Sequence, residues 1–409
     1  MVKNFPKNFY WGSATSSFQV EGVIENNDWA EAGRQGKTPL AGRACSHYDL
    51  YEKDFDIVKE LGQNAHRFSI EWARVEPEEG RFYDKEIEHY RKVLQALRNR
   101  GIEPFVTLWH FTLPLWFAKK GGFENPKAPE IFARYCGYVV ERLGDMAKFW
   151  MTMNEPMVYA YEGYLKGQWP PFKRNFFAFK KVIKTLVASH LASYNMILRH
   201  YGMSQNQAIL CNDKSSHNIA ISKVKIGIAK NNIYFENFPL INHFWNFHFL
   251  NKIKNNLDFI GINYYFHRNL LKNKNKEVSD MGWEIYPEGI YHVLKELKRY
   301  NLPVYITENG LADAKDQKRE KFIKEHLRWT WQAIQDGVDV RGYFYWSLLD
   351  NFEWAHGFGP RFGLVEMDYK TMERKIRPSA WEYKRICETN SLFLRSDLKS
   401  SKRSDLGVD

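Results

Sequence analysis

The chain predicts an α/β fold: a single domain built as a closed (β/α)8 barrel of parallel strands with long loops after the strands. Three observations lead there. Short apolar, β-branched runs alternate with stretches carrying apolar residues at helical spacing along almost all of the 409 residues. Several of those runs end in polar or aromatic residues beside Gly, Pro or Asn, as strands do at the working rim of a barrel. Two of the exits also share one grammar. Phe149 to Pro156 (FWMTMNEP) and Pro303 to Gly310 (PVYITENG) both pass from an apolar run through Thr to an adjoining Asn and Glu.

The elements follow in order. Phe9 to Gly22 (FYWGSATSSFQVEG) opens with a strand and a small-residue turn, with Gln19 at the rim. A short helix is expected at Asp54 to Leu61, and the second strand at Gln63 to Ile70, with Arg67 inside it. A buried arginine requires a carboxylate partner. Ile87, Tyr90, Leu94 and Leu97 mark a helix face that ends at Gly101, before strand three at Glu103 to Leu108 and the aromatic-flanked His110. A helix over Pro129 to Leu143 leads into strand four, which exits at Asn154 and Glu155. After a helix from about Phe177 to Tyr201, the stretch 203–222 is polar and unpatterned. Strand five is Lys225 to Asn231 and strand six is Leu257 to Tyr265. Ile290, Val293, Leu294 and Leu297 form the next helical face, and Val304 to Ile306 form strand seven, stopped by Asn309-Gly310 just after Glu308. Ile323, Leu327, Thr330 and Ile334 outline the last large helix before strand eight, Val340 to Ser347. The barrel domain is expected over 1–390, with a charged, disordered tail at 391–409.

Composition narrows the function. The formal charge is +11, but the basic residues are scattered and form no single stripe, so nucleic acid is not expected as a partner. No apolar run approaches a membrane span, and the start of the chain lacks a signal-peptide core, so the expectation is a cytoplasmic protein. Four scattered cysteines without a Cys-x-x-Cys pair read as reduced and structural, with no metal implied. With 14 Trp, 23 Tyr and 29 Phe, many of them beside strand ends, the rim suits flat apolar sugar faces. Glu155 and Glu308 on two strand ends are the pair of carboxyl groups that cleavage of a glycosidic bond requires.

In order along the chain, FYWGSATSSFQVEG, RFSIEW, TLWHFTLPLW, TMNEP, DFIGINYY, ITENG and WSLLDNFEWAHGFGPRFGLV make the sequence resemble glycoside hydrolase family 1, the β-glucosidase and β-glycosidase family. The resemblance runs from Phe9 to about Arg385. It implies a retaining exo-β-glycosidase with Glu308 as nucleophile and Glu155 as acid/base. It also implies sugar contacts from Gln19, His110, Asn154, Glu353 and Trp354, a platform at Trp346, and a wall of the sugar pocket at Phe362. Trp283 would wall the leaving-group site. Arg67, Asn263 and Tyr265 would surround the nucleophile. The partner it implies is a small β-glycoside or oligosaccharide, with no cofactor.

A 6-phospho-β-glycosidase and an inactive sugar-binding protein are the alternative readings. Glu353 opposes the first, where a small residue and a basic phosphate grip are expected, and the presence of both glutamates opposes the second. Met153, Trp109, Met157 and Glu71 depart from the usual residues, and Met157 is expected to thin the leaving-group site. Between 203 and 257 little family pattern remains beyond KIGI. The stretch 232–256, interrupted by Pro239, shows no convincing helical face. Either the barrel wall is thin and loosely ordered there, or a short ordinary helix packs on it.

Overall fold

Each apolar run becomes a barrel strand: β1 (Tyr10–Ala14), β2 (Ala65–Ser69), β3 (Glu103–Thr107), β4 (Phe149–Asn154), β5 (Lys225–Glu236), β6 (Phe259–Asn269), β7 (Val304–Asn309) and β8 (Val340–Trp346). In this computed structural model, which describes residues 2–202, 224–269 and 276–393, neighbours in sequence are parallel neighbours in space. Pairing of Tyr10 with Gly342 through Ala14 with Trp346 closes the ring. The expected (β/α)8 barrel is the observed one.

Crossover helices cover the outside: α1 (His47–Glu60), α2 (Asp84–Asn99), α3 (Ala128–Leu143), α4 (Phe176–His200), α5 (239–253), α6 (Glu288–Leu297), α7 (Arg319–Gln335) and α8 (Pro378–Thr389). Their buried residues keep the helical spacing of the sequence, as with Ile87, Tyr90, Leu94 and Leu97 on α2. Gly101 follows α2 at φ +70°, a conformation that side chains with a Cβ resist. Helix α1 begins at His47, well before the expected Asp54, because Asp54 lies inside it, bonded to His47 Nδ1 (2.7 Å) and Arg374 Nε (2.8 Å). No helix among the described residues is long and apolar enough to cross a membrane.

The barrel interior is filled by aromatic rings, with Phe105 and Phe149 stacked at 4.1 Å and packed against Tyr305 and Phe344. This plug leaves the opposite end of the barrel for polar side chains. At the chain's edges Lys3–Asn4 pairs antiparallel with Ser391–Leu392. The expected tail therefore loses its first two residues to a strand; the rest of it, 394–409, lies outside the described residues, as does the stretch 203–222.

The expectation of a thin wall near 232–256 is not met. β5 continues to Glu236 and β6 to Asn269, and they pair from Gly227–Phe259 through Glu236–Asn269. Helix α5 packs against them as Pro239–Asn242, a π-helical turn His243–Phe247, and His248–Ile253. Asn246 imitates a strand neighbour: Ile233 N donates to its Oδ1 (3.1 Å) and its Nδ2 donates to Ile233 O (2.7 Å). The π-helical turn shifts the apolar repeat by one residue, which hid the helical face in the sequence.

Phe249 is fully buried whereas Leu240 is 85% exposed. Phe249→Ala is expected to lower stability by about 3–5 kcal/mol and Leu240→Ala by under about 0.5 kcal/mol, read from urea unfolding. Equal, small losses at both positions would mean that α5 does not pack as described.

Candidate active site

The strand register breaks where chemistry-bearing side chains leave the barrel. Pairing shifts between Met151 and Asn154 on β4, between Ile262 and Asn263 on β6, and between Ile306 and Asn309 on β7. Such irregularities re-aim side chains at a sheet's end. Glu155 follows β4 at φ +42°, a left-handed conformation disfavoured for glutamate, and its N–H donates to Ala229 O at 2.7 Å. Backbone strain of this kind persists where the surroundings over-determine it.

Arg67 is the hub. Its Nη1 donates to Glu308 Oε1 (2.5 Å) and Thr307 O (3.2 Å), Nη2 to Asn154 Oδ1 (2.7 Å), and Nε to Thr107 Oγ1 (3.2 Å). Tyr265 OH donates to the other oxygen of Glu308 at 2.9 Å. Glu155 receives only amides: Asn263 Nδ2 at 2.8 Å and Asn231 Nδ2 at 3.5 Å. Asn263 is itself turned by Thr307 Oγ1, which donates to its Oδ1 at 2.7 Å.

These partners separate the two carboxyls. Burial pushes Glu155 up to about 8, and the negative charge of Glu308 adds to that. Burial also raises Glu308, but the charge of Arg67 and the hydrogen bonds from Tyr265 and Arg67 act against it. Arg67 thus favours the charged form of Glu308, although burial is the larger influence. The negative charge of the pair nonetheless resides on Glu308, which has the cation, while Glu155 holds the proton. Glu353 is pushed to about 8 by burial and then by Glu308 and Glu155. Its expected repulsion of a 6-phosphate thus belongs only to its ionised form.

A cavity of about 340 Å³ opens at this rim. Ten of the thirteen site residues expected from sequence line it: His110, Asn154, Glu155, Tyr265, Trp283, Glu308, Trp346, Glu353, Trp354 and Phe362. Arg67 and Asn263 stand behind the carboxylates they bond. Gln19 does not line the cavity; its Nε2 donates to Asn351 Oδ1 (2.9 Å), Phe352 O (2.8 Å) and Glu353 Oε2 (3.5 Å), so it braces the Glu353 segment. Burial, with the charge of Arg67, lowers His110 well below the ordinary histidine range. Its neutral ring accepts from Asn154 Nδ2 at Nε2 (3.1 Å), which leaves the proton on Nδ1, a buried atom with no partner.

Several lining residues were not expected from sequence. Trp245 on α5 donates from Nε1 to Asn231 Oδ1 (3.1 Å) and so orients the amide that reaches Glu155. Tyr161 meets Trp245 edge-on at 5.8 Å, from a second π-helical turn, Tyr161–Lys166. Phe266 and Arg268, on the extension of β6, complete that side. The signal the sequence offered was the aromatic-rich stretch from Phe238 to Phe249 in which Trp245 falls. Met157, expected to thin the leaving-group site, is instead fully buried in the outer core and does not line the cavity. Glu71 is buried too, accepting from Thr112 Oγ1 (3.0 Å) and Ser17 Oγ (3.0 Å).

The family model described as glycosyl hydrolase family 1 matches residues 1–233 and 248–392. A β-glucosidase A of Thermotoga maritima is 34% identical, over 96% of this chain and 99% of that one. A β-galactosidase of Pyrococcus woesei is 31% identical, over 90% of this chain and 94% of that one. Among solved structures, a β-glycosidase from Pyrococcus horikoshii superposes with a TM-score of 0.86 at 39% identity, covering 98% of both chains. The Thermotoga maritima β-glucosidase in complex with castanospermine gives 0.85 at 32% identity, covering 96% of this chain and all of that one.

Replacing Arg67 with Gln removes the charge that opposes burial at Glu308. Glu308 should then ionise at higher pH, by about one unit or more, in carbon NMR of labelled carboxyls. A downward shift would contradict the charge assignment.

Proposed function

We propose, from the premise that this chain belongs to glycosyl hydrolase family 1, that Glu308 is the nucleophile and Glu155 the acid/base of its glycosidase reaction. The chain is a retaining β-glycosidase with a (β/α)8 fold. Its finer reading is exo-hydrolysis of a terminal β-D-glucosyl residue, with galactosyl and fucosyl as further candidates. The observation that carries the roles is the unequal solvation of the two carboxyls: Glu308 faces Arg67 and Tyr265, Glu155 only amides.

The chemistry follows from that inequality. Ionised Glu308 attacks the anomeric carbon while Glu155 gives its proton to the departing oxygen. Formation of the glycosyl ester removes the charge on Glu308. The second-largest force raising Glu155 then disappears, its pKa falls, and it becomes the base that deprotonates water for the second displacement. Asn154, locked by Arg67 and Asn263, holds its one remaining amide proton for the sugar, and the unpartnered Nδ1–H of His110 is a second donor. Trp346, Trp354 and Phe362 supply apolar walls, and Glu353 hydrogen-bonds sugar hydroxyls. The unphosphorylated reading draws on Glu353, whose carboxylate repels a 6-phosphate once ionised. A cytoplasmic location is supported by Cys45, Cys136 and Cys387, all buried and unpaired.

Glu308→Gly should abolish hydrolysis, and added azide should restore turnover with an α-glycosyl azide as product. A β-linked azide would place the nucleophile elsewhere. Glu155→Ala should slow poor leaving groups at least about a hundredfold more than activated aryl glycosides; equal losses would remove Glu155 as proton donor. Because activity needs Glu155 protonated, kcat/KM of the wild type should fall as pH rises through about 8. A profile still rising there would contradict the assignment.

A further inference from the structure

His267, on β6 just past the cavity, lies buried between two carboxylates. Its Nδ1 is 2.9 Å from Glu284 Oε2 and its Nε2 is 3.2 Å from Glu236 Oε2. An ionised carboxylate only accepts, so both ring nitrogens must donate, which only the imidazolium does. The neighbouring groups point the same way. β5 presents Glu236 and Tyr234; the segment after β6 presents Glu284, Tyr286 and Lys276; α6 presents Glu288 and His292; Arg268 follows on β6 itself. Lys276 Nζ is 2.8 Å from Glu284, and Glu288 faces His292 at 3.6 Å. The two carboxylates on the ring thus face one lysine, and a charged His267 balances the remainder. The ring is also clamped flat, 3.9 Å from Tyr286 on an 18° tilt, with Tyr234 at 5.3 Å.

Glu284 is the residue after Trp283. The segment around it turns on itself, with Ser279 N donating to Trp283 O (2.8 Å) and Ile285 N to Glu277 O (2.8 Å). Its far edge is tied by Asp280 N to Ala312 O (3.0 Å). Its near edge meets the barrel through Tyr264 OH to Tyr286 O (2.8 Å) and through His267. Trp283 meanwhile packs on Phe266 at 4.6 Å and forms a cavity wall.

We propose that His267 is a positioning residue that bolts the Trp283 wall to strands β5 and β6 and so maintains the grip on an extended leaving group. The inference rests on the reading that Trp283 bounds the leaving-group side. Glycone chemistry at Glu155 and Glu308 is left untouched.

The test compares cellotriose, which extends past Trp283, with methyl β-D-glucoside, which does not. Both require protonation of the leaving oxygen, so the ratio of their kcat/KM values cancels the titration of Glu155. In His267→Gln and in Glu284→Gln that ratio should be about three- to tenfold below that of the wild type, through a higher KM for cellotriose, with the methyl glucoside constants unchanged. A ratio unchanged in both variants, or equal losses on both substrates, would overturn the proposal.

Hydrogen exchange across residues 276–286 reads the same bolt without any reaction. Faster exchange in His267→Gln than in the wild type is expected, and unchanged exchange would overturn it. If the wild type hydrolysed neither glucoside, the glycosidase reading would fail while exchange still decided the role of His267.

Discussion

A guanidinium buried at the mouth of a barrel holds the site together. Arg67 is 1% exposed, and its hydrogen bonds reach β3, β4 and β7 from its own place on β2. An isolated buried charge of this kind would cost several kcal/mol, so each donor needs an acceptor. The partners are Thr107, Asn154, Thr307 and Glu308, and satisfying Arg67 places them at fixed positions around one point. Below them the stacked rings of Phe105 and Phe149 exclude water from the barrel floor and keep the network in a low-dielectric setting.

The same cation divides the labour between the carboxyls. Glu155, Glu308 and Glu353 share one pocket, and three negative charges would not coexist there. Arg67 gives one charge a home on Glu308, and that charge in turn helps to keep Glu155 and Glu353 protonated. Asn263 joins the halves, reaching Glu155 and Asn154 with its Nδ2 while Thr307, the residue before Glu308, fixes its oxygen. The acid/base and nucleophile roles are proposals that draw on this one electrostatic arrangement, so they stand or fall together.

How much the sequence revealed depended on whether a feature had a period. β7 was legible because Val304 to Ile306 is β-branched and apolar and Asn309-Gly310 ends it. Glu155 and Glu308 were legible because each follows such a run. The left-handed backbone at Glu155 was not, since no residue type there announces it. Helix α5 was only one of two readings because its π-helical turn breaks the 3.6-residue repeat. The same break concealed that Trp245 lines the cavity. Gln19 was placed one layer too far forward: sequence assigns it to the rim but cannot tell a side chain facing the cavity from one bracing its neighbour. The outward extensions of β5 and β6 escaped because Ile233 to Glu236 and Phe266 to Asn269 mix polar with aromatic residues, as loops do.

The two π-helical turns, at Tyr161–Lys166 and His243–Phe247, both border the side of the cavity away from the barrel floor. A π-helical turn absorbs one extra residue inside a helix while the flanking turns keep their places. The outer wall can therefore gain or lose a residue, and exchange the side chain it presents, without shifting the strands that carry Glu155 and Glu308. Geometry thus separates the wall from the chemistry: a change at either turn alters what faces the cavity and leaves the strand ends in place.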